Sequence, residues 1–156
     1  MVRIRKLNDR DALKKWEQFT KGFATPIDEI LVETPKEKLE RTAKLLQNFE
    51  QFCYYYFPKI TKAKFAKWHK KFTKHLIEAK GNINIAVAKC CRDMAKSSVT
   101  VMLVIFMYYN GRFRSFGMFS DNYDKAETLL KPIKTALERN ELLLRDFGPR
   151  QSLGNW

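Results

Sequence analysis

The chain has 156 residues, enough for one domain with a core of its own. Lysine and arginine number 30 against 17 acidic residues, and a formal charge of +13 favours an anionic partner, for which nucleic acid is one candidate. Cys53, Cys90 and Cys91 form neither an even-numbered disulfide framework nor a zinc spacing, and His69 and His75 fall on different faces of one predicted helix. A disulfide scaffold and a zinc site are therefore excluded, and a reducing compartment is expected.

In chain order, Leu13, Trp16 and Phe19 give residues 9–23 the apolar stripe of an amphipathic helix, ended by Gly22 and the turn around Pro26. Thr34-Pro35-x-Glu37 is a cap with proline in the first turn, and it predicts a helix from there to Phe57, stopped by Pro58. Thr61 opens a second amphipathic helix, closed by Gly81-Asn82, with Phe65, Trp68, Phe72, Leu76 and Ala79 on its apolar side. Lys59, Lys62, Lys64, Lys67, Lys70, Lys71, Lys74 and Lys80 crowd that same stretch. Such a face is a solvated surface, a stripe that tracks DNA, or a membrane-surface helix.

Asn82–Val87 alternates like a short buried strand, and Val99–Tyr109 is apolar on every side, like a helix enclosed in a core. That apolar run is about half of what a bilayer crossing requires, and no charged-then-apolar leader opens the chain, so a soluble, cytoplasmic protein without a membrane partner is expected. Asn110-Gly111 turns into a second predicted strand over 113–119. A helix is expected from Ser120 or Asp121 to Arg139, kinked or divided at Pro132, and then a loop from Asn140 with Leu142, Leu143 and Leu144 docking back.

Between the first strand and the apolar helix lies Cys90-Cys91-Arg92-Asp93-Met94-Ala95-Lys96-Ser97-Ser98. Strand, loop and helix with Lys-Ser at the helix start is the order of a phosphate-binding loop. Backbone N–H groups and the helix dipole favour the anion, the lysine spans the β- and γ-phosphates, and the hydroxyl coordinates Mg²⁺. The usual pattern places glycine at positions 90 and 95; here they are Cys90 and Ala95, so an ordinary helix start capped by Ser97 or Ser98 stands beside it as the alternative. A positive φ at Ala95 would carry a cost of about 1 kcal/mol or more. The predicted fold class is α/β. A helical N-terminal region over 1–58 is followed, over 59–156, by the start of a P-loop NTPase-type parallel sheet, incomplete and with few strands.

Cys91-Arg92-Asp93-Met94-Ala95-Lys96-Ser97-Ser98 resembles the degenerate phosphate loop of the terminase large subunit of tailed bacteriophages, the motor that packages DNA. The resemblance extends to Phe52–Pro58 with its Tyr56-Phe57-Pro58 turn, to Phe65-x-x-Trp68-His69, to Asp121-Asn122-Tyr123-x-x-Ala126, and to Asn140-x-x-Leu143-x-x-Asp146-Phe147-Gly148. It covers most of the chain after residue 40. It implies ATP and Mg²⁺ as cofactors, with Lys96 bridging phosphates, Ser97 on the metal, Arg92 as a finger on the γ-phosphate and the amides of Asp93–Ser97 as the cradle.

Trp68 and His69 are the candidate adenine-binding pair, with Trp68 as a plain core residue the alternative. Double-stranded DNA, the terminase small subunit and the portal protein are the implied partners, in a bacterial cytoplasm carrying phage or prophage.

Hydrolysis also requires an acidic motif at the end of an apolar strand. Asp121, Asp124, Glu127 and Asp146 are the available candidates, and Asp121 reads better as a helix cap. In the resembling family that strand and the nuclease domain lie further on. The expectation is an N-terminal piece, completed by a further polypeptide and inactive alone. The competing class is a non-enzymatic, basic helical nucleic-acid-binding or phage accessory protein.

Overall fold

A computed structural model describes residues 9–26, 33–79, 94–113 and 115–149. The described residues form seven helices, α1 (Asp9–Lys21), α2 (Pro35–Gln47), α3 (Phe49–Tyr56), α4 (Lys67–Glu78), α5 (Lys96–Tyr109), α6 (Tyr123–Arg139) and α7 (Glu141–Phe147). They contain no strand. The α/β expectation is therefore corrected to an all-helical arrangement of the described residues.

The predicted strand over 83–88 lies outside the described residues. The one over 113–119 is irregular chain where it is described, and the sequence shows why. Phe113, Phe116 and Phe119 recur every third residue rather than every second, so they cannot line one face of a pleated strand. A strand also requires a neighbour for its backbone hydrogen bonds, and the described residues supply none.

The predicted helix over 35–57 is two helices. Thr34 and Glu37 form a reciprocal capping box at the start of α2, with Thr34 N donating to Glu37 Oε2 at 2.7 Å. Asn48 then leaves helical geometry (φ −130°, ψ 106°), closing α2 and capping α3 by accepting from Gln51 N at 3.1 Å. The basic helix begins at Lys67, later than expected from Thr61. Thr61 turns backwards instead: its hydroxyl donates to Phe57 O at 2.8 Å, serving the end of α3.

Pro132 does not divide α6, which runs from Tyr123 to Arg139. Proline at 132 removes the N–H that would bond to the carbonyl four residues earlier, at Thr128. That carbonyl is taken by the indole of Trp16, whose Nε1 donates to Thr128 O at 3.2 Å. A sequence-distant donor from α1 thus replaces the missing helical bond, and the packing of α1 against α6 is built around the substitution.

The apolar helix α5 is the centre of the core, in contact with α3, α4 and α6. Val99, Val101, Met102, Leu103, Ile105 and Phe106 are all buried, which matches its lack of a polar face. Phe106 receives Phe52 and Phe49 edge-on, with ring centroids 5.2 and 5.4 Å away. Among the described residues, helices enclose it.

Two polar knots tie α7 to the rest of the fold. Asn140, fully buried, donates from Nδ2 to Tyr56 O at 2.8 Å and to Phe23 O at 3.2 Å, and accepts from Leu143 N at 3.1 Å. Residues expected as loop after Asn140 are in fact α7, because Asn140 caps it and Leu143 inserts into the core.

Asp146, with no side-chain exposure, accepts from Arg41 at 2.7 and 3.0 Å and from Tyr56 at 2.8 Å, and also pairs with Arg145 at 3.1 Å. Burial pushes the Asp146 carboxyl up, but the hydrogen bonds from Arg41, Tyr56 and Arg145 outweigh it and leave the group below the ordinary aspartate range. The Asn-x-x-Leu-x-x-Asp spacing therefore has a structural role here: cap, core plug and ion-pair acceptor.

Candidate phosphate site at the start of the central helix

Ala95 is the N-cap of α5 and has φ 51° and ψ 25°, the left-handed region. Among the described residues it is the one non-glycine residue with positive φ. For alanine that conformation costs about 1 kcal/mol or more, so something must hold it. Alanine also offers no side-chain oxygen, so Ala95 makes no side-chain cap to α5. Ser97 and Ser98 follow in the first turn, where helix amides have no acceptor within the helix and the dipole is positive. Met94, Ala95, Lys96 and Ser97 are exposed, and Val99 is the first residue to enter the core.

His69, on α4, reaches this turn. Its Nδ1 accepts the Ala66 backbone N–H at 3.0 Å, which assigns the ring proton to Nε2 and makes Nε2 the donor to Met94 O, also at 3.0 Å. Trp68 stacks obliquely beside the imidazole, 4.0 Å between ring centroids, and Phe65 meets it edge-on at 5.8 Å. Trp68 and His69 are both half-buried.

Of the residues expected at the site, Met94, Ala95, Lys96, Ser97 and Ser98 are thus together at one helix start, with His69 against them and Trp68 behind it. Cys91, Arg92 and Asp93 lie outside the described residues. The bond from His69 to Met94 joins residues far apart in sequence, and the spacing carries no signal of it beyond an aromatic-His pair ahead of the loop.

Lys96 is the first residue of α5 and Ser97 the second, so a cation and a hydroxyl stand at the helix start. No group of three or more His, Cys, Asp and Glu side chains able to hold a metal ion occurs among the described residues. A magnesium ion that arrives with phosphate oxygens and keeps several waters does not require one.

The same α4 that carries His69 exposes Lys67, Lys70, Lys71 and Lys74, and Lys59, Lys62 and Lys64 are exposed on the segment before it. Lys70 pairs with Glu50 at 2.8 Å and Lys74 lies 3.8 Å from Glu78, both on the surface. Lys80 is outside the described residues.

No protein-family model, no curated protein and no solved structure matches the chain. No helix among the described residues is long and apolar enough to cross a membrane.

Proposed function

We propose that this chain binds the phosphates of ATP with Mg²⁺ at the start of α5 and serves DNA packaging as part of a terminase large subunit of the tailed-bacteriophage type. The observation that carries the reading is the left-handed, uncapped Ala95 directly ahead of Lys96 and Ser97. An ordinary helix start has an extended N-cap whose side chain accepts from the first turn, as Thr34, Asn48 and Asn122 do here. Ala95 does neither, at a conformational cost.

In this reading Lys96 would hold the phosphates, Ser97 would contribute its hydroxyl to Mg²⁺, and the amides of Asp93–Ser97 would cradle the oxygens. ATP, when bound, would supply a phosphoryl group for transfer to water in the complete protein. Arg92 takes the γ-phosphate in this reading, on the strength of the resemblance alone. The lysine face of α4 and the segment before it tracks double-stranded DNA, with the terminase small subunit, the portal protein and a further polypeptide as assembly partners in the cytoplasm of the bacterial host.

A second reading, a basic helical nucleic-acid-binding module without a nucleotide site, is favoured by the exposed lysines alone. Thermal unfolding with and without millimolar Mg-ATP separates the two. The proposal requires an upward shift in melting temperature that Lys96→Ala abolishes. No shift in the wild-type chain, with duplex DNA still bound, leaves the second reading.

A further inference from the structure

We infer that the surface carrying the lysines of α4 binds single-stranded DNA, whose bases stack on a row of aromatic rings running from α3 through the segment before α4 into α4 itself. The inference rests on the DNA reading of those lysines given above and is independent of any nucleotide site.

Tyr54, on α3, meets Phe65 edge-on with 5.7 Å between ring centroids, and Phe65 meets His69 at 5.8 Å. His69 lies 4.0 Å from Trp68, and Trp68 lies 6.4 Å from Phe72. Phe65 is buried and joins the row to the core, whereas Tyr54 is 38% exposed and His69, Trp68 and Phe72 are half-buried. Both ring nitrogens of His69 are engaged, by Ala66 N and Met94 O, so the imidazole has its face rather than its edge to offer.

The charge beside this row is of one sign. No aspartate or glutamate occurs from Gln51 to Ile77. Lys70 and Lys74 reach Glu50 and Glu78 at the two ends, but Lys59, Lys62, Lys64, Lys67 and Lys71 are exposed and make no ion pair among the described residues. Unneutralised cations next to aromatic rings complement a chain that presents phosphates and free base faces together. A duplex presents the phosphates but keeps its bases paired and stacked on one another, which leaves the rings without a use. A bilayer surface requires a free apolar helix face, and in α4 Phe72, Leu76 and Ile77 pack against the core. Arginine, asparagine and glutamine, which read base edges, are missing from Phe52 to Lys80, so binding is tolerant of sequence. Thr61 and Thr73 both donate to backbone carbonyls, and neither is available to select the 2′-hydroxyl of RNA.

Fluorescence anisotropy of the full chain with a labelled oligothymidine of about 15 nucleotides, and with a mixed-sequence duplex of about the same length, tests this. The variants are Tyr54→Leu, Trp68→Leu, the ring-retaining Trp68→Phe, and Lys67→Ala combined with Lys71→Ala. Each leucine variant should weaken oligothymidine binding about five-fold or more and duplex binding less than about two-fold, with Trp68→Phe recovering most of the loss. The lysine pair should weaken both ligands. Tyr54→Leu, at an exposed ring, carries the test should Trp68→Leu fail to fold.

Ring variants that leave oligothymidine binding unchanged, or that lower both ligands equally, overturn the stacking while the lysine variant still upholds the DNA reading. Oligouridine bound about five-fold more tightly than oligothymidine overturns the assignment to DNA. No binding of either DNA, or binding indifferent to the lysine pair, overturns the DNA reading of this face and the inference with it.

Discussion

Replacing Asp146 with asparagine removes the acceptor that binds α7 to α2 and α3 at once. The aspartate has no side-chain exposure and receives two bonds from Arg41, at 2.7 and 3.0 Å, one from Tyr56 at 2.8 Å and one from Arg145 at 3.1 Å. Asparagine keeps one acceptor oxygen and turns an NH₂ group toward donors, so roughly half of these bonds are lost at about 1.5 kcal/mol each. The loss is moderated because the side chains of Arg41 and Arg145 are each 21% exposed and Arg41 retains Glu33 at 2.5 Å.

Asp146→Asn should therefore cost about 2–3 kcal/mol at pH 7, a fall in melting temperature of roughly 5–10 °C for a chain of this size. The carboxyl titrates below its unfolded value in the folded chain, so its contribution is complete above about pH 4 and is lost as pH falls through the folded value. Urea unfolding at pH 7 and at steps down to about pH 2 should show wild type and variant converging in acid. A cost under about 0.5 kcal/mol at pH 7, or a gap that does not close below about pH 4, would refute the reasoning.

Trp16→Phe should keep the apolar packing of α1 while leaving Thr128 O, opposite Pro132, without its donor. A loss of about 1–2 kcal/mol in urea unfolding is expected, and Pro132→Ala, which returns the helical N–H, should recover part of it in the double variant. Asn140→Ala removes the cap of α7 and the donor to two buried carbonyls, and should lower stability by about 3 kcal/mol, read from the same unfolding curves. If the lysine face tracks duplex DNA, binding should weaken steeply with salt. Replacing Lys67, Lys71 and Lys74 by alanine should then flatten the log–log salt slope by up to about 0.9 for each phosphate no longer neutralised. An unchanged slope would place DNA elsewhere.

Helices with strong apolar patterns are legible directly in the residues: α1 and α5 lie close to their expected spans because burial and period agree in them, whereas α4 starts at Lys67 rather than Thr61. The departures are decided by single polar side chains acting over a distance. Asn48 splits one expected helix into two, Trp16 rescues α6 at Pro132, and Asn140 converts an expected loop into α7 by satisfying its first turn. Period alone contains none of this.

The spacing of Lys96 and Ser97 after a small residue locates the helix start, and the structure gives Ala95 there a positive φ. It also implies a sheet that the described residues do not form. The phenylalanines over 113–119 have the overall apolarity of a strand but a three-residue period, and the period decides. An aromatic-His pair ahead of the loop points to His69, but its role depends on a bond to Met94 that only the folded chain brings about.

An anion site at the start of α5 is testable by following backbone amide resonances of the full chain during titration with Mg-ATP. Saturable shifts concentrated at Ala95, Lys96, Ser97 and Ser98 are expected, absent in Lys96→Ala. Shifts spread over the lysines of α4 with none at residues 95–98, or no saturable shift at all, would contradict it.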